Sequence, residues 1–274
     1  MKLTEIKALL EQREIQLTKS LGQNFMHDGN QLRRILEAAQ LDKTDRVLEI
    51  GAGLGPLTQL LLANAGEVLA MEKDRRLVEI LRERFTGVAH FTLLHDDALD
   101  YLARQPQDWS GWKMVSNLPF SVASRILMDL AWGQSRPVRI VATLQYEVAL
   151  RIRARVGHPE YGLLGLLLQL NYEPAGHFRL PAGSFYPKPE VDSACITLVR
   201  RSQPPLTAAQ EKVYQGLVRD GFSQRRKMML KLLKNRWSEP QLRQTLADLS
   251  ISPQVRAEQV TREQFIEMAR RLAG

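Results

Sequence analysis

Three short stretches carry residue types and spacings that could do chemistry. The first is Glu49-Ile50-Gly51-Ala52-Gly53-Leu54-Gly55, preceded by apolar Val47 and Leu48 and followed by Pro56. Glycines at alternate positions let the backbone bend sharply, and with no Cβ in the way they let a ligand come close to it. The second is Val68-Leu69-Ala70-Met71-Glu72, an apolar run that ends on an acid. Glu72 follows the first glycine by about 20 residues, where an α/β nucleotide site places the carboxylate that holds a ribose hydroxyl pair. Alone, either stretch could be a packing turn or a surface acid; in register they point to a nucleoside-containing cofactor.

The third stretch is Ser116-Asn117-Leu118-Pro119-Phe120. Pro119 stiffens the turn and drives Leu118 toward an extended conformation, so that a carbonyl there can face a ligand instead of pairing within a sheet. The Asn117 amide oxygen and the neighbouring carbonyl could accept both protons of an exocyclic amine, and Phe120 offers a face on which a purine can stack. The same residues would also suit an ordinary strand-to-helix turn. What favours chemistry is their position after a glycine loop and an acidic strand end.

These stretches need a frame that puts strand ends side by side. From Asp45 onward, short apolar runs alternate with helical periodicity, predicting strands at 46–50, 67–72, 91–95, 113–117, 138–144, 164–172 and 194–199. Helices are expected at 56–64, 74–84, 121–132 and 146–156. Such alternation implies a mostly parallel seven-stranded sheet with helices on both faces, a Rossmann-like α/β fold whose ligands bind outside the carboxyl ends of the strands. Only Pro-, Gly- and aromatic-rich chain separates the last two strands, so one is expected to run antiparallel. That is the methyltransferase variant of the fold.

Upstream, Leu3, Ile6, Leu9 and Leu10 repeat at helical spacing, and a polar segment from Lys19 to Asp28 leads to a helix capped by Asp28 or Asn30. Downstream, Ser202-Gln203-Pro204-Pro205 reads as a linker. Helices are expected beyond it at 207–220, 225–237, 239–248 and 261–272, with Thr207 and Thr261 as N-caps. The implied division is a catalytic domain over 1–203, which includes an N-terminal helix and lid segment at 1–30, and a small basic helical domain over 204–274.

The chain has 274 residues and a net charge of +8, and from Arg200 onward 15 Lys and Arg face 7 Asp and Glu, which accounts for the whole excess. An asymmetry of that kind suggests a polyanionic partner. Arg225, Arg226, Lys227, Lys231 and Lys234 form a candidate phosphate face, which Arg151, Arg153 and Arg155 could extend. Met229, Leu230, Leu233 and Trp237 repeat at helical spacing and are expected to pack inward. Cys195 is the sole cysteine, which excludes an intramolecular disulfide and a cysteine-rich metal site. The five histidines show no metal or triad spacing, so no metal is expected, and His95 reads as a solvated or packing residue. No apolar run approaches the length of a membrane span, and a cytoplasmic monomer is the expectation.

In order along the chain, Leu21-Gly22-Gln23-Asn24-Phe25, Glu49 to Gly55, Met71-Glu72-Lys73-Asp74, Asp97-Ala98, Asn117 to Phe120 and Phe185 to Ser193 resemble the ribosomal RNA adenine dimethyltransferase family. Phe222-Ser223-Gln224-Arg225-Arg226-Lys227 is closer to its bacterial small-subunit branch than to its macrolide-resistance branch. The resemblance implies S-adenosylmethionine as cofactor, with Asn24 and Met26 in a lid over it and Gly51 and Gly53 along its methionine and ribose end. It further implies that Glu72 holds the ribose hydroxyls, Asp97 receives the adenine amino group, and Asn117 stands between cofactor and substrate. Many relatives have Tyr where Phe120 stands, which keeps the stacking face and loses a hydroxyl.

The implied activity is dimethylation of two adjacent adenosines in the 3′-terminal hairpin of small-subunit ribosomal RNA, on a pre-ribosomal 30S particle, during ribosome biogenesis. Rival readings are a large-subunit resistance methyltransferase, a non-catalytic RNA-binding assembly factor and, more distantly, a nicotinamide dehydrogenase.

Overall fold

The computed structural model describes residues 1–17, 22–104 and 107–274. Lys19, Ser20 and Leu21, which belong to the polar segment before Asp28, lie outside them. Seven strands form the main sheet: β2 (Arg46–Ile50), β3 (Glu67–Glu72), β4 (Phe91–His95), β5 (Trp112–Asn117), β6 (Arg139–Gln145), β7 (Tyr172–Leu180) and β9 (Ser193–Arg200). Their spatial order is β4-β3-β2-β5-β6-β9-β7. The pairs β4–β3, β3–β2, β2–β5 and β5–β6 are parallel, and β9 is antiparallel to β6 with Thr143 opposite Cys195. The chain reverses its direction of winding between β2 and β5, and their carboxyl ends carry the glycine loop and Asn117. That is the topological switch point at which open α/β sheets bind ligands.

The helices alternating with the strands are α3 (Pro56–Asn64), α4 (Arg75–Arg84), α5 (Ala98–Arg104), α6 (Ala123–Trp132) and α7 (Tyr146–Arg153). Ahead of the sheet come α1 (Leu3–Gln12), the two-residue strand β1 (Phe25–Met26) and α2 (Gly29–Ala39). Asp28 caps α2 by accepting from the Asn30 and Gln31 N–H groups, which satisfies donors that the first helical turn leaves free. β1 pairs antiparallel with β8 (Phe185–Tyr186). Ile6, Leu10 and Ile15 pack with Phe25, Leu54, Leu77 and Ile80 in one apolar cluster, which seats the N-terminal segment beside the glycine loop and α4.

One predicted strand is a helix. Residues 164–172 were expected to be extended, but α8 (Leu163–Asn171) occupies them and β7 begins only at Tyr172. A short apolar run has no period that separates a buried strand from a buried helix. The run here is leucine, a good helix former without a β-branch. β7 was hidden because it alternates exposed and half-buried residues and holds Pro174 and Gly176, composition tolerated at a sheet edge.

The chain folds into two compact units, Met1–Ala149 with Pro174–Arg200, and Leu150–Glu173 with Arg201–Gly274. This differs from a boundary at 203, because 150–173 groups with the C-terminal helices. The second unit holds α8, α9 (Ala208–Gly221), α10 (Met229–Leu233), α11 (Glu239–Asp248) and α12 (Arg262–Leu272). The buried Tyr214 hydroxyl on α9 donates to the Leu166 carbonyl at 3.0 Å, and an Arg262 guanidinium N–H reaches the Gln169 carbonyl at 3.3 Å. These bonds join α8 to the helices that follow it in space. Thr207 and Thr261 each close a capping box, with Gln210 and Gln264 respectively. Met229, Leu230 and Leu233 are buried and Trp237 is half-buried. α10 is much shorter than the helix expected over 225–237.

Candidate functional site

The glycine loop leaves β2 through three left-handed residues, Gly51, Gly53 and Gly55, with φ of +75°, +61° and +79°. A Cβ at Gly51 would sit 3.2 Å from the Pro119 ring, and one at Gly53 would sit 3.1 Å from the Phe25 ring. The loop is therefore pressed between the Asn117–Phe120 turn and the N-terminal segment. The Gly51 and Ala52 N–H groups donate to the Met71 carbonyl at 2.8 and 3.3 Å. Below the loop, the buried Ser116 hydroxyl accepts from the Ile50 N–H at 2.8 Å and ties the end of β2 to the end of β5.

Glu72 ends β3 and is buried. One carboxylate oxygen accepts from the Gly53 N–H and the other from the Asp74 N–H, both at 2.9 Å. Burial pushes its carboxyl above the ordinary value, and the two N–H donors pull the other way. Asp74 caps α4 and accepts from the Arg76 side chain and from the Gln23 amide at 2.8 Å. The Arg76 hydrogen bond holds Asp74 below the ordinary range.

Asp97 accepts from the Lys73 ammonium at 2.7 Å and from the Leu99 N–H at 2.8 Å, and the Lys73 hydrogen bond lowers its carboxyl. Its neighbour Asp96 is instead ion-paired with Arg104. His95 is exposed, with Nε2 near the Lys73 carbonyl.

Asn117, at the end of β5, has its amide fixed from one side. Its Nδ2 donates to the Asn24 carbonyl at 2.9 Å, while its Oδ1 is buried and, among the described residues, has no partner. The Leu118 N–H donates to the Thr143 carbonyl, and among the described residues no donor reaches the Leu118 carbonyl. Phe120 is half-exposed beside them.

A single cavity brings these groups together. Asn24, Met26, Gly51, Gly53, Glu72, Asp97, Asn117, Leu118, Pro119 and Phe120 all line it. Gln23, Phe25, Glu49 and Lys73, which the sequence motifs contain but to which sequence reasoning gave no role of their own, line it too. Glu49 is the notable one. It is fully enclosed, accepts from the Thr58 hydroxyl at 2.6 Å, and has its carboxyl pushed up to about 8 by burial, so it is protonated at neutral pH. The signal for it was visible, since Glu49 is a lone acid inside an apolar strand. Gln23 had no such signal.

The basic candidates lie in the second unit. Arg225, Arg226 and Lys227 are exposed in the turn before α10, and Lys231 is exposed on it. Among the described residues none of the four is within ion-pair distance of an acid. Lys234, by contrast, pairs with Glu239, and Arg151 with Glu160. Among the described residues no group of three or more His, Cys, Asp or Glu is placed to hold a metal ion, and no helix is long and apolar enough to cross a membrane.

Known proteins match nearly the full chain. The ribosomal RNA adenine dimethylase family matches residues 15–274. "Ribosomal RNA small subunit methyltransferase A" from Moorella thermoacetica is 37% identical over 97% of this chain and 96% of its own length. The protein of the same name from Geobacter metallireducens is 34% identical over 93% and 95%. Among solved structures, the 23S rRNA methyltransferase ErmE aligns with a TM-score of 0.69 and 25% identity over 91% of this chain and 100% of its own. A dimethyladenosine transferase from Plasmodium falciparum, at 22% identity, shares the fold with a TM-score of 0.75 over 89% and 95%. With a Rossmann-like methyltransferase sheet and a match of this extent, the chain belongs to the ribosomal RNA adenine dimethylase family.

Proposed function

We propose that this protein methylates the exocyclic amino groups of two adjacent adenosines in the 3′-terminal hairpin of small-subunit ribosomal RNA, twice each, with S-adenosylmethionine as donor. The observation that carries the reading is the Asn117 amide, whose nitrogen is committed to the Asn24 carbonyl and whose buried oxygen has no partner among the described residues. A buried unpaired acceptor is costly and is kept where a ligand supplies the donor. An adenine amine has two N–H groups to give, and the Leu118 carbonyl is free to take the second.

The cofactor fits the remaining groups. Gly51 and Gly53 present bare backbone to the cavity, and Glu72 keeps lone pairs for a ribose hydroxyl pair beyond the two N–H groups it already holds. Asp97 would take the cofactor's adenine amino group and share its charge with Lys73, and Asn24 and Met26 would cover the cofactor from the N-terminal side. When bound, the cofactor supplies an electrophilic sulfonium methyl.

The protein's part is orientation. Two acceptors, at Asn117 and Leu118, draw the amine N–H groups away from the plane of the ring, which frees the nitrogen lone pair. Pro119 keeps the turn stiff and Phe120 stacks on the purine. Positioning and fixed dipoles are enough, and no strong base is required, because the proton that the nitrogen must shed becomes strongly acidic once the nitrogen carries the methyl and passes to water. Arg225, Arg226, Lys227 and Lys231 would hold RNA phosphates, offsetting the few kcal/mol that extracting a base costs. We place the reaction on an assembling small-subunit particle in the cytoplasm, with the protein acting as a monomer.

The test is transfer of labelled methyl from S-adenosylmethionine to under-methylated small- and large-subunit particles, followed by nucleoside analysis. Dimethyladenosine confined to small-subunit RNA is the expected result. Label only in large-subunit RNA would overturn the substrate assignment, and binding without label would overturn the enzymatic one.

A further inference from the structure

The charge of the second unit is not spread evenly over its cations. Many are neutralised in place: Arg151 by Glu160, Lys234 and Arg243 by Glu239, Arg236 by Asp220 and Arg271 by Asp248. An arginine already bound to a carboxylate has little to offer a phosphate. Those outside such pairs include Arg225, Arg226 and Lys227, and also Arg155, which lies 70 residues earlier in the sequence.

Arg155 opens a run of five consecutive exposed residues, Arg155-Val156-Gly157-His158-Pro159. Val156 is 42% exposed, one of only three large apolar side chains so open among the described residues. The run is not slack chain. The His158 N–H donates to the Arg155 carbonyl at 3.0 Å and the Tyr161 N–H to the His158 carbonyl at 2.9 Å, while the Glu160 N–H reaches His158 Nδ1 at 3.1 Å. Tyr161 anchors its base, with its buried hydroxyl donating to the Val260 carbonyl at 2.8 Å and its ring edge-on to Phe222, centroids 6.1 Å apart.

Phe222 is where the segment leading to Arg225, Arg226 and Lys227 begins, and the Arg225 guanidinium reaches the Pro159 carbonyl at 3.4 Å. Two exposed basic loops, far apart in sequence, are thus built side by side on one aromatic footing. A rigid loop loses little entropy on binding.

We propose that the Arg155–Pro159 loop is a second RNA-backbone contact, continuous with the Arg225–Lys227 turn. Arg155 takes a phosphate and Val156 rests against the adjoining sugar or base. RNA is the occupant favoured by the unpaired positive charge on both loops, and the proposal rests on the ribosomal RNA reading above.

The experiment measures binding of the full chain to the 3′-terminal small-subunit hairpin RNA by fluorescence anisotropy at several salt concentrations. Each lost phosphate contact lowers the slope of log K against log salt by about 0.7 to 0.9. Arg155→Gln should lower the slope by about that amount and weaken binding several-fold at 0.1 M salt. Val156→Ser should weaken binding with the slope unchanged, and Arg243→Gln, whose charge is already paired, should do neither. Because all three side chains are on the surface, circular dichroism should match the parent chain. The proposal is overturned if Arg226→Gln lowers the slope and Arg155→Gln does not. If the unsubstituted chain shows no salt-dependent binding to this RNA at all, the ribosomal RNA reading falls and this inference falls with it.

Discussion

Replacing Glu49 by Gln should make the protein more stable, by an amount that grows with pH. The Glu49 carboxyl is fully enclosed and pushed up to about 8 from an ordinary 4.5, with burial as the main cause and the nearby Glu72 carboxylate adding to it. In the unfolded chain it ionises near the ordinary value. Between those two pH values folding must therefore take up a proton, and stability falls as pH rises through the window. Above about 8 both states are ionised and the loss is complete.

The slope for one such group is about 1.4 kcal/mol per pH unit, so raising the pH by two units within that window should cost the wild type on the order of 3 kcal/mol through this residue. Glutamine keeps the shape and the carbonyl that accepts from Thr58, and it has no proton to lose. Glu72 is raised too but is present in both proteins, so its share largely cancels in the difference. Urea unfolding followed by tryptophan fluorescence suits the assay, because Trp109, Trp112 and Trp132 lie in the same unit as Glu49. The gap between variant and wild type should widen steadily over the window and level off above pH 8. A gap that stays constant with pH would refute the reasoning, because it would mean that Glu49 is ionised in the folded protein.

Other expectations follow from the same geometry. Asn117→Ala should reduce methyl transfer by at least about 100-fold, in keeping with the loss of a preorganised polar group at a reacting centre, while RNA affinity holds; full turnover in the variant would remove Asn117 from the chemistry. Glu72→Gln should weaken S-adenosylmethionine binding by about 1–3 kcal/mol through lost charge-assisted hydrogen bonds, and calorimetric titration showing unchanged affinity would contradict the ribose assignment. Gly55→Ala should destabilise the fold by roughly 2 kcal/mol or more from left-handed strain and crowding, since φ is +79° and the new methyl would lie 2.8 Å from the Phe85 ring. An unchanged urea midpoint would show that the loop relaxes freely.

What could be read from the residues was whatever is local in the chain. The glycine loop, Glu72 and the Asn117 turn each sit at the end of one apolar run, and parallel strands bring such ends together without further information. The helix at 163–171 was misread because a leucine run satisfies either geometry. The tie between Ser116 and Ile50, the Thr58 hydrogen bond to Glu49 and the Gln23 contact with Asp74 join residues distant in sequence, so no spacing announces them. The basic face shows the same limit. Lys231 and Lys234 look alike in the sequence, yet Glu239 neutralises one and leaves the other available, and only the folded chain separates them.

The lone acceptor at Asn117 bears on how the proposed reaction ends. An unmodified adenine amine brings two N–H groups to Oδ1 and the Leu118 carbonyl, and the singly methylated amine still brings one. The doubly methylated amine brings none. The buried oxygen is then stranded beside two methyl groups, at a cost of about 1–3 kcal/mol, and the Asn24 carbonyl prevents the amide from turning its nitrogen inward instead. On this reading the pocket counts methyl groups by counting protons. It retains the intermediate long enough for a second transfer, then becomes a poor host for its own product.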